Sequence, residues 1–195
     1  MVLRKIKPEI RIMGIDDSPF SKRTKNVLLI GAVFRSGLYL EGVLSCWIKK
    51  DGLDATPKII KMVNKSKHKG QLRILMLNGI AVGGFNVIDL EKLHKKTGFP
   101  VIVIIRKKPN FADIKKALSR FKDAKKRFNL IKKAGEVREL AINGRRMYYQ
   151  ICGIDRKMAE EAIKISATHS IIPEPIRAAH IIGSGVVLGE TKGRV

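Results

Sequence analysis

Asn26–Arg35 (NVLLIGAVFR) and Leu38–Lys49 (LYLEGVLSCWIK) are two long apolar runs separated only by Ser36-Gly37. So short a link leaves no room for a crossover, so the runs must pair as antiparallel strands. Glu9–Ile15 precedes them and ends at Asp16-Asp17-Ser18-Pro19, a turn signal. A three-strand antiparallel meander is therefore expected at the start of the chain.

The pattern then changes. Thr56-Pro57 reads as a helix start with Thr56 as N-cap, and the helix runs to about Lys67. Gln71–Leu77 is a continuous apolar run, as at a sheet centre, and Asn78-Gly79 ends it. A helix over Val87–Thr97 stops at Gly98, and Val101–Ile105 is a second buried strand. Lys108-Pro109-Asn110 opens a helix with apolar residues at steps of three and four from Ile114 to Ile131. Arg138–Asn143 and Met147–Cys152 flank Gly144 as a hairpin. Asp155 caps a helix over Arg156–Thr168, and Pro173-Glu174-Pro175 starts a short last helix through Ile182. This order implies a single α/β domain over residues 1–195: a mixed sheet, meander plus parallel strands, flanked by helices. The Gly-rich end, 184–195, is expected to be a flexible tail.

Forty Lys and Arg against seventeen Asp and Glu give a formal net charge of +23. With 45% hydrophobic residues the chain is no disordered polycation. The charge calls for an anionic partner, nucleic acid first, because phosphate contacts release condensed counterions. Residues 106–133 hold twelve Lys or Arg and only Asp113 and Asp123 as acids. Lys115, Lys116, Arg120, Lys122, Lys125, Lys126 and Arg127 fill the faces left by the apolar stripe. They read either as a solvated surface or as a track for phosphates. No run reaches the roughly 20 apolar residues of a membrane helix, and the charged start lacks an apolar signal core. No membrane role and a cytoplasmic location are expected. Cys46 and Cys152 have no CxxC spacing and read as reduced, buried thiols.

Asp16 and Asp17 end the first strand, where a carboxylate suits a divalent metal that bridges phosphate oxygens. Strand alternation points only one of them at a given site. Asn78, Asp51 and Asp54 stand at ends of other elements and read equally as turn or helix-start residues. Arg177 and His180 are three apart on the last helix and share a face with Glu174, which would let His180 act as acid or base. P-loop, GxSxG, HExxH, zinc and GxGxxG spacings are absent.

Gly14-Ile15-Asp16-Asp17, the stretch Tyr39 to Ser45 (YLEGVLS), Asn78-Gly79-Ile80-Ala81 through Gly84-Phe85-Asn86, and Pro173 to His180 (PEPIRAAH) resemble, in that order, the archaeal endonuclease dU family, itself similar to endonuclease V. The resemblance spans about Arg11 to Ile182. It implies an RNase H-like fold and an endonuclease, dependent on Mg²⁺ or Mn²⁺, that cleaves a phosphodiester in DNA near a deaminated base such as deoxyuridine, in DNA repair. RNA is the other substrate it admits. By the endonuclease V pattern Asp16 is a metal ligand, and Asn78 stands where a second acid is found. Ile48 stands where a third is found, with Asp51 three residues later as its substitute. His180 matches the helix histidine. Arg106 or Lys107 matches the basic residue after the fifth strand, with Lys108, Lys115 and Arg177 as further contacts to nucleic acid. Tyr39 matches the wedge that parts the strands. The missing acids leave a second reading: a non-catalytic nucleic-acid-binding protein with a degenerate RNase H-like site.

Overall fold

The computed structural model describes Leu3 and residues 5–191. In chain order the elements are β1 (Arg11–Asp17), β2 (Asn26–Arg35), β3 (Tyr39–Lys49), α1 (Ala55–Lys65), β4 (Ile74–Asn78), β5 (Ala81–Val82), β6 (Asn86–Val87), α2 (Leu90–Thr97), β7 (Val101–Ile105), α3 (Phe111–Leu118), α4 (Ala124–Lys133), β8 (Arg138–Ile142), β9 (Arg145–Cys152), α5 (Arg156–Ser166) and α6 (Glu174–Leu188). Seven strands form one sheet in the order β3-β2-β1-β4-β7-β9-β8, while β5 and β6 pair separately. The β1–β2–β3 meander is antiparallel, and β1, β4 and β7 run parallel. β9 is antiparallel to β7, and β8 to β9.

Strand alternation divides the core. Met13, Ile15, Leu29, Leu75, Leu77 and Val103 face α1 and α2. Ile12, Ile74, Met76 and Ile104 face α5 and the start of α6. Both faces of the three central strands are thus covered, which is why they read as unbroken apolar runs. Because β1, β4 and β7 run parallel, the loops after them gather at one edge of the sheet.

Several boundaries differ from the sequence expectation. β1 extends through Asp17, because Asp17 pairs with Leu29 and the Ser18 amide donates to the Leu28 carbonyl (2.8 Å). Both aspartates therefore belong to the strand. Thr56 is not an N-cap: α1 begins at Ala55, and the Thr56 hydroxyl accepts from the Asp89 amide instead. Val87 belongs to β6, and α2 begins only after Asp89, whose side chain caps it. The basic helix is two helices with a break over residues 119–123. There the Ser119 hydroxyl donates to the Lys116 carbonyl and competes with helix continuation. The last helix runs past Ile182 to Leu188, over part of the stretch expected to fray, because Gly183 and Ser184 are buried against the sheet. Residues 192–195 of that stretch lie outside the described residues. Among the described residues, no helix is long and apolar enough to cross a membrane.

Candidate active site

α6 lies along β1 and sets the site. A Cβ at Gly14 would come within 2.1 Å of the Pro175 carbonyl carbon, and one at Gly183 within 2.6 Å of the Ser18 hydroxyl. These two glycines let the helix backbone rest on the strand. Between them His180 reaches Asp16, with 3.0 Å from Nδ1 to Oδ2. Asp16 is 2% exposed, and its burial is offset by such a hydrogen-bond partner. A carboxylate only accepts, so Nδ1 carries the proton and Nε2 is the free nitrogen. The Asp16 bond, outweighing burial, raises the His180 pKa.

Asp16 Oδ1 also accepts from the Asp17 amide (2.9 Å). Asp17 turns its own Oδ2 to the Gly83 amide (2.7 Å). Burial first, and the neighbouring Asp16 charge second, push the Asp17 carboxyl up to about 6. The two carboxylates, with Ser18, Pro19, Phe20, Asn78, Arg106 and His180, line a cleft of about 360 Å³. The expectation that only one of Asp16 and Asp17 serves the site therefore fails. At a strand's last residue both faces of the sheet open onto the same rim.

Asp16, Asn78, Arg106 and His180 are brought together from the ends of β1, β4, β7 and from α6. Asp51 is not among the residues that line the cleft. Its Oδ1 accepts from the Phe85 amide (2.8 Å), its amide donates to the Gly83 carbonyl (2.8 Å), and Arg120 lies 4.0 Å away. It organises the loop that holds Asp17. Ile48 is buried in the core beneath that loop. Lys107 and Lys108 are exposed beyond Arg106, and Lys115 is exposed on α3. Arg177 grips the buried Glu174 (Nε to Oε2, 2.8 Å), so Glu174 partners Arg177 and not His180. Tyr39 is 63% exposed and pairs with Arg35, at the opposite end of the meander from Asp16.

Two positions escaped the sequence reading. Ser18 is buried at the cleft, and its hydroxyl has no partner among the described residues. Arg127, expected on an exposed face of the basic helix as solvated surface or phosphate track, is 4% exposed. Its guanidinium donates to the carbonyls of Gly52 (2.9 Å), Asp51 (2.8 Å) and Phe85, pairs with Asp123, and lies 4.5 Å over the Phe121 ring. No signal in the sequence separates it from the surface lysines beside it. Burial raises the thiol of Cys46 to about 11 and that of Cys152 upward, so neither is a ready nucleophile.

Among the described residues, no three His, Cys, Asp or Glu side chains form a ready metal cage. The cleft does offer hard oxygen donors side by side: two desolvated carboxylates, the Asn78 amide oxygen and the orphaned Ser18 hydroxyl. That donor set fits Mg²⁺ or Mn²⁺, which bind through one or two carboxylates and keep several waters.

A mixed sheet with parallel central strands and an antiparallel meander, flanked by helices, is an RNase H-like fold, and the solved structures share it. The chain is similar to endonuclease V from Ciona intestinalis, solved with a DNA containing an inosine followed by a ribo-adenosine (TM-score 0.58, 13% identity, 87% of this chain and 82% of that chain). The catalytic domain of human endonuclease V is as similar (TM-score 0.56, 14% identity, 89% and 82%). A protein of unknown function from Archaeoglobus fulgidus is nearer (TM-score 0.83, 35% identity, 91% and 98%). The family model for Endonuclease dU matches residues 8–187, and the chain belongs to that family. Its relatives include the UPF0215 protein of Methanothermobacter thermautotrophicus, 52% identical over 192 residues (97% of this chain, 94% of that protein). Family and fold together support a nuclease.

Proposed function

We propose that the protein is a metal-dependent endonuclease that hydrolyses a phosphodiester in DNA beside a deaminated base such as deoxyuridine, in DNA repair in the cytoplasm, and that residues 1–195 act as one domain. The observation that carries this reading is the convergence of Asp16, Asp17, Asn78, Arg106 and His180 on one cleft in a chain of charge +23. Asp16, with Asp17 and Asn78, would hold Mg²⁺ or Mn²⁺. When bound, the ion neutralises phosphate charge and acidifies water.

The chain's own groups do the rest. Arg106, with Lys107 beside it, offsets the charge that grows on the phosphate oxygens as water adds to phosphorus. The water gives up a proton as it bonds to phosphorus, the ester P–O bond breaks, and the leaving oxygen takes up a proton. His180 is fixed through Nδ1 by Asp16, which leaves Nε2 to hold a water or pass that proton. Lys108, Lys115 and Arg177 extend the cationic surface for the nucleic-acid backbone.

The engagement of Asp51 by the Phe85 amide and the burial of Ile48 favour one other reading, a binding protein whose site has lost its third acid. Labelled duplexes with one uracil, one hypoxanthine or no lesion, incubated with Mg²⁺, Mn²⁺ or EDTA, separate the two. Metal-dependent nicking beside one lesion, lost in Asp16→Ala, supports the endonuclease. Salt-sensitive binding without a nick under either metal supports the binding protein.

A further inference from the structure

The chain has one tryptophan, and it stands in the open. Trp47 is 57% exposed on β3, the edge strand of the sheet. Alternation sends Leu44, Cys46 and Ile48 to the core under α1 and leaves Val43, Ser45, Trp47 and Lys49 on the other face. That other face is the Asp16 face. Asp16 is registered with Ile30 and Ile30 with Ser45. Trp47 is registered with Leu28, whose carbonyl accepts from Ser18 at the cleft. Two strand spacings, roughly 10 Å, separate β3 from β1. α6 packs chiefly on β1 and β2, and Trp47 stays uncovered on the same side of the sheet as the cleft.

Its surroundings say what covers it. Phe20, 39% exposed, lies on the cleft wall, with the Lys50 ammonium 5.9 Å over its ring. Lys22, Arg23, Lys25 and Lys49 are exposed around it. From Ser18 to Lys50 the sole acid is Glu41, which is bound by Arg11 and Arg35 at the far end of the strand. Exposed aromatic rings beside exposed cations match the π-face and phosphate of a nucleotide. A second copy of the chain would bring +23 against +23. A base still stacked in a duplex hides both its faces, so only an unpaired base can lie on the indole.

We infer that Trp47 is a stacking platform for an unpaired nucleobase next to the cleft. The inference rests on the nucleic-acid reading above and deepens it: the substrate is a strand with a base out of its stack. A mispaired, deaminated base leaves the duplex at lower energy than a paired one, so a platform for extruded bases selects for lesions.

Trp47 is also its own reporter, because it alone absorbs at the red edge of protein excitation. The full chain is titrated with a short oligothymidylate, a paired duplex of matching length and an abasic strand carrying phosphates alone. Binding is followed in parallel by anisotropy of a labelled strand. Oligothymidylate quenches Trp47 strongly, the duplex weakly and the abasic strand not at all. Trp47→Ala, an exposed change that the fold tolerates, weakens oligothymidylate binding roughly ten-fold and leaves abasic-strand binding unchanged, while Trp47→Phe restores most of the loss. Binding with unchanged emission, or equal affinity in Trp47→Ala, overturns the platform and leaves the nucleic-acid reading standing. No binding of any strand overturns both. Emission that depends on protein concentration alone, without quenching by any strand, assigns the face to a second copy and overturns the platform.

Discussion

His180 and Asp16 lie 164 residues apart and meet at 3.0 Å, Nδ1 to Oδ2, across the contact between α6 and β1. The pair joins the two ends of the chain at the mouth of the cleft. It holds the one imidazole there in a single tautomer, and it gives the buried Asp16 a charged or polar partner. Asp16→Asn keeps the shape and removes the charge. DNA binding should persist within a few-fold, while the nicking rate falls by about a hundred-fold or more. Binding by anisotropy and nicking by gel, on the same preparations, check this.

Gly14→Ala places a methyl group where the Pro175 carbonyl carbon already lies. The obstacle is backbone, so α6 must move. The expected loss is about 1–3 kcal/mol of stability, with the His180–Asp16 bond broken. Urea denaturation gives the first, and the imidazole proton resonance of His180 reports the second.

Arg127→Met retains the apolar stem and removes the guanidinium. Three carbonyls lose their donor and Asp123 its partner, for an expected loss of about 3 kcal/mol. The Asp51–Gly83–Phe85 loop is released with them, so amide exchange at Gly83 should accelerate. That amide is the one that holds Asp17.

Tyr149 donates to Glu160 Oε1 at 2.7 Å from a buried position. Burial first, and the Glu160 bond second, raise the phenol from 10.0 to about 12. The folded state thus keeps its proton after the unfolded state has lost it. The contribution is complete below pH 10 and disappears as pH climbs toward 12. Tyr149→Phe should lower stability by about 1 kcal/mol at neutral pH and flatten the fall in urea midpoint above pH 10.

Arg106, Lys107 and Lys108 follow β7 in succession at the cleft rim. Each, replaced by alanine, should reduce the slope of log K against log salt on duplex DNA by about 0.9. Unchanged slopes would place the phosphate track elsewhere.

Much of this architecture is legible in the chain itself. Asn26–Arg35 and Leu38–Lys49 cannot avoid pairing across so short a link, and the apolar runs at Gln71–Leu77 and Val101–Ile105 have nowhere to go but a sheet centre, where the structure keeps Ile74–Asn78 of the first as strand. Asp16, Asn78 and Arg106 stand at or just past the ends of β1, β4 and β7, whose order alone brings them to one edge, while His180 comes from the middle of α6. The hairpin about Gly144 is legible from that glycine, although Asn143, read as strand, belongs to the turn, with φ of 49° and 74° at the two residues. These are local or periodic signals, set by backbone sterics and by which side chains avoid water.

Other features are decided only by the folded chain. Asp51 and Asp17 are both carboxylates at the end of a strand. One caps a loop and the other lines the cleft, because the amides of Phe85 and Gly83 arrive from a separate segment. Arg127 and Lys126 are neighbours on one helix, yet one is buried and the other bathed in water, according to which carbonyls lie opposite. Trp47 lies in an apolar run and stands exposed, because α6 packs on β1 and β2. Sequence records what each residue prefers. Which long-range partner is present to satisfy it depends on the packing of segments far apart in the chain, and only the tertiary structure settles that.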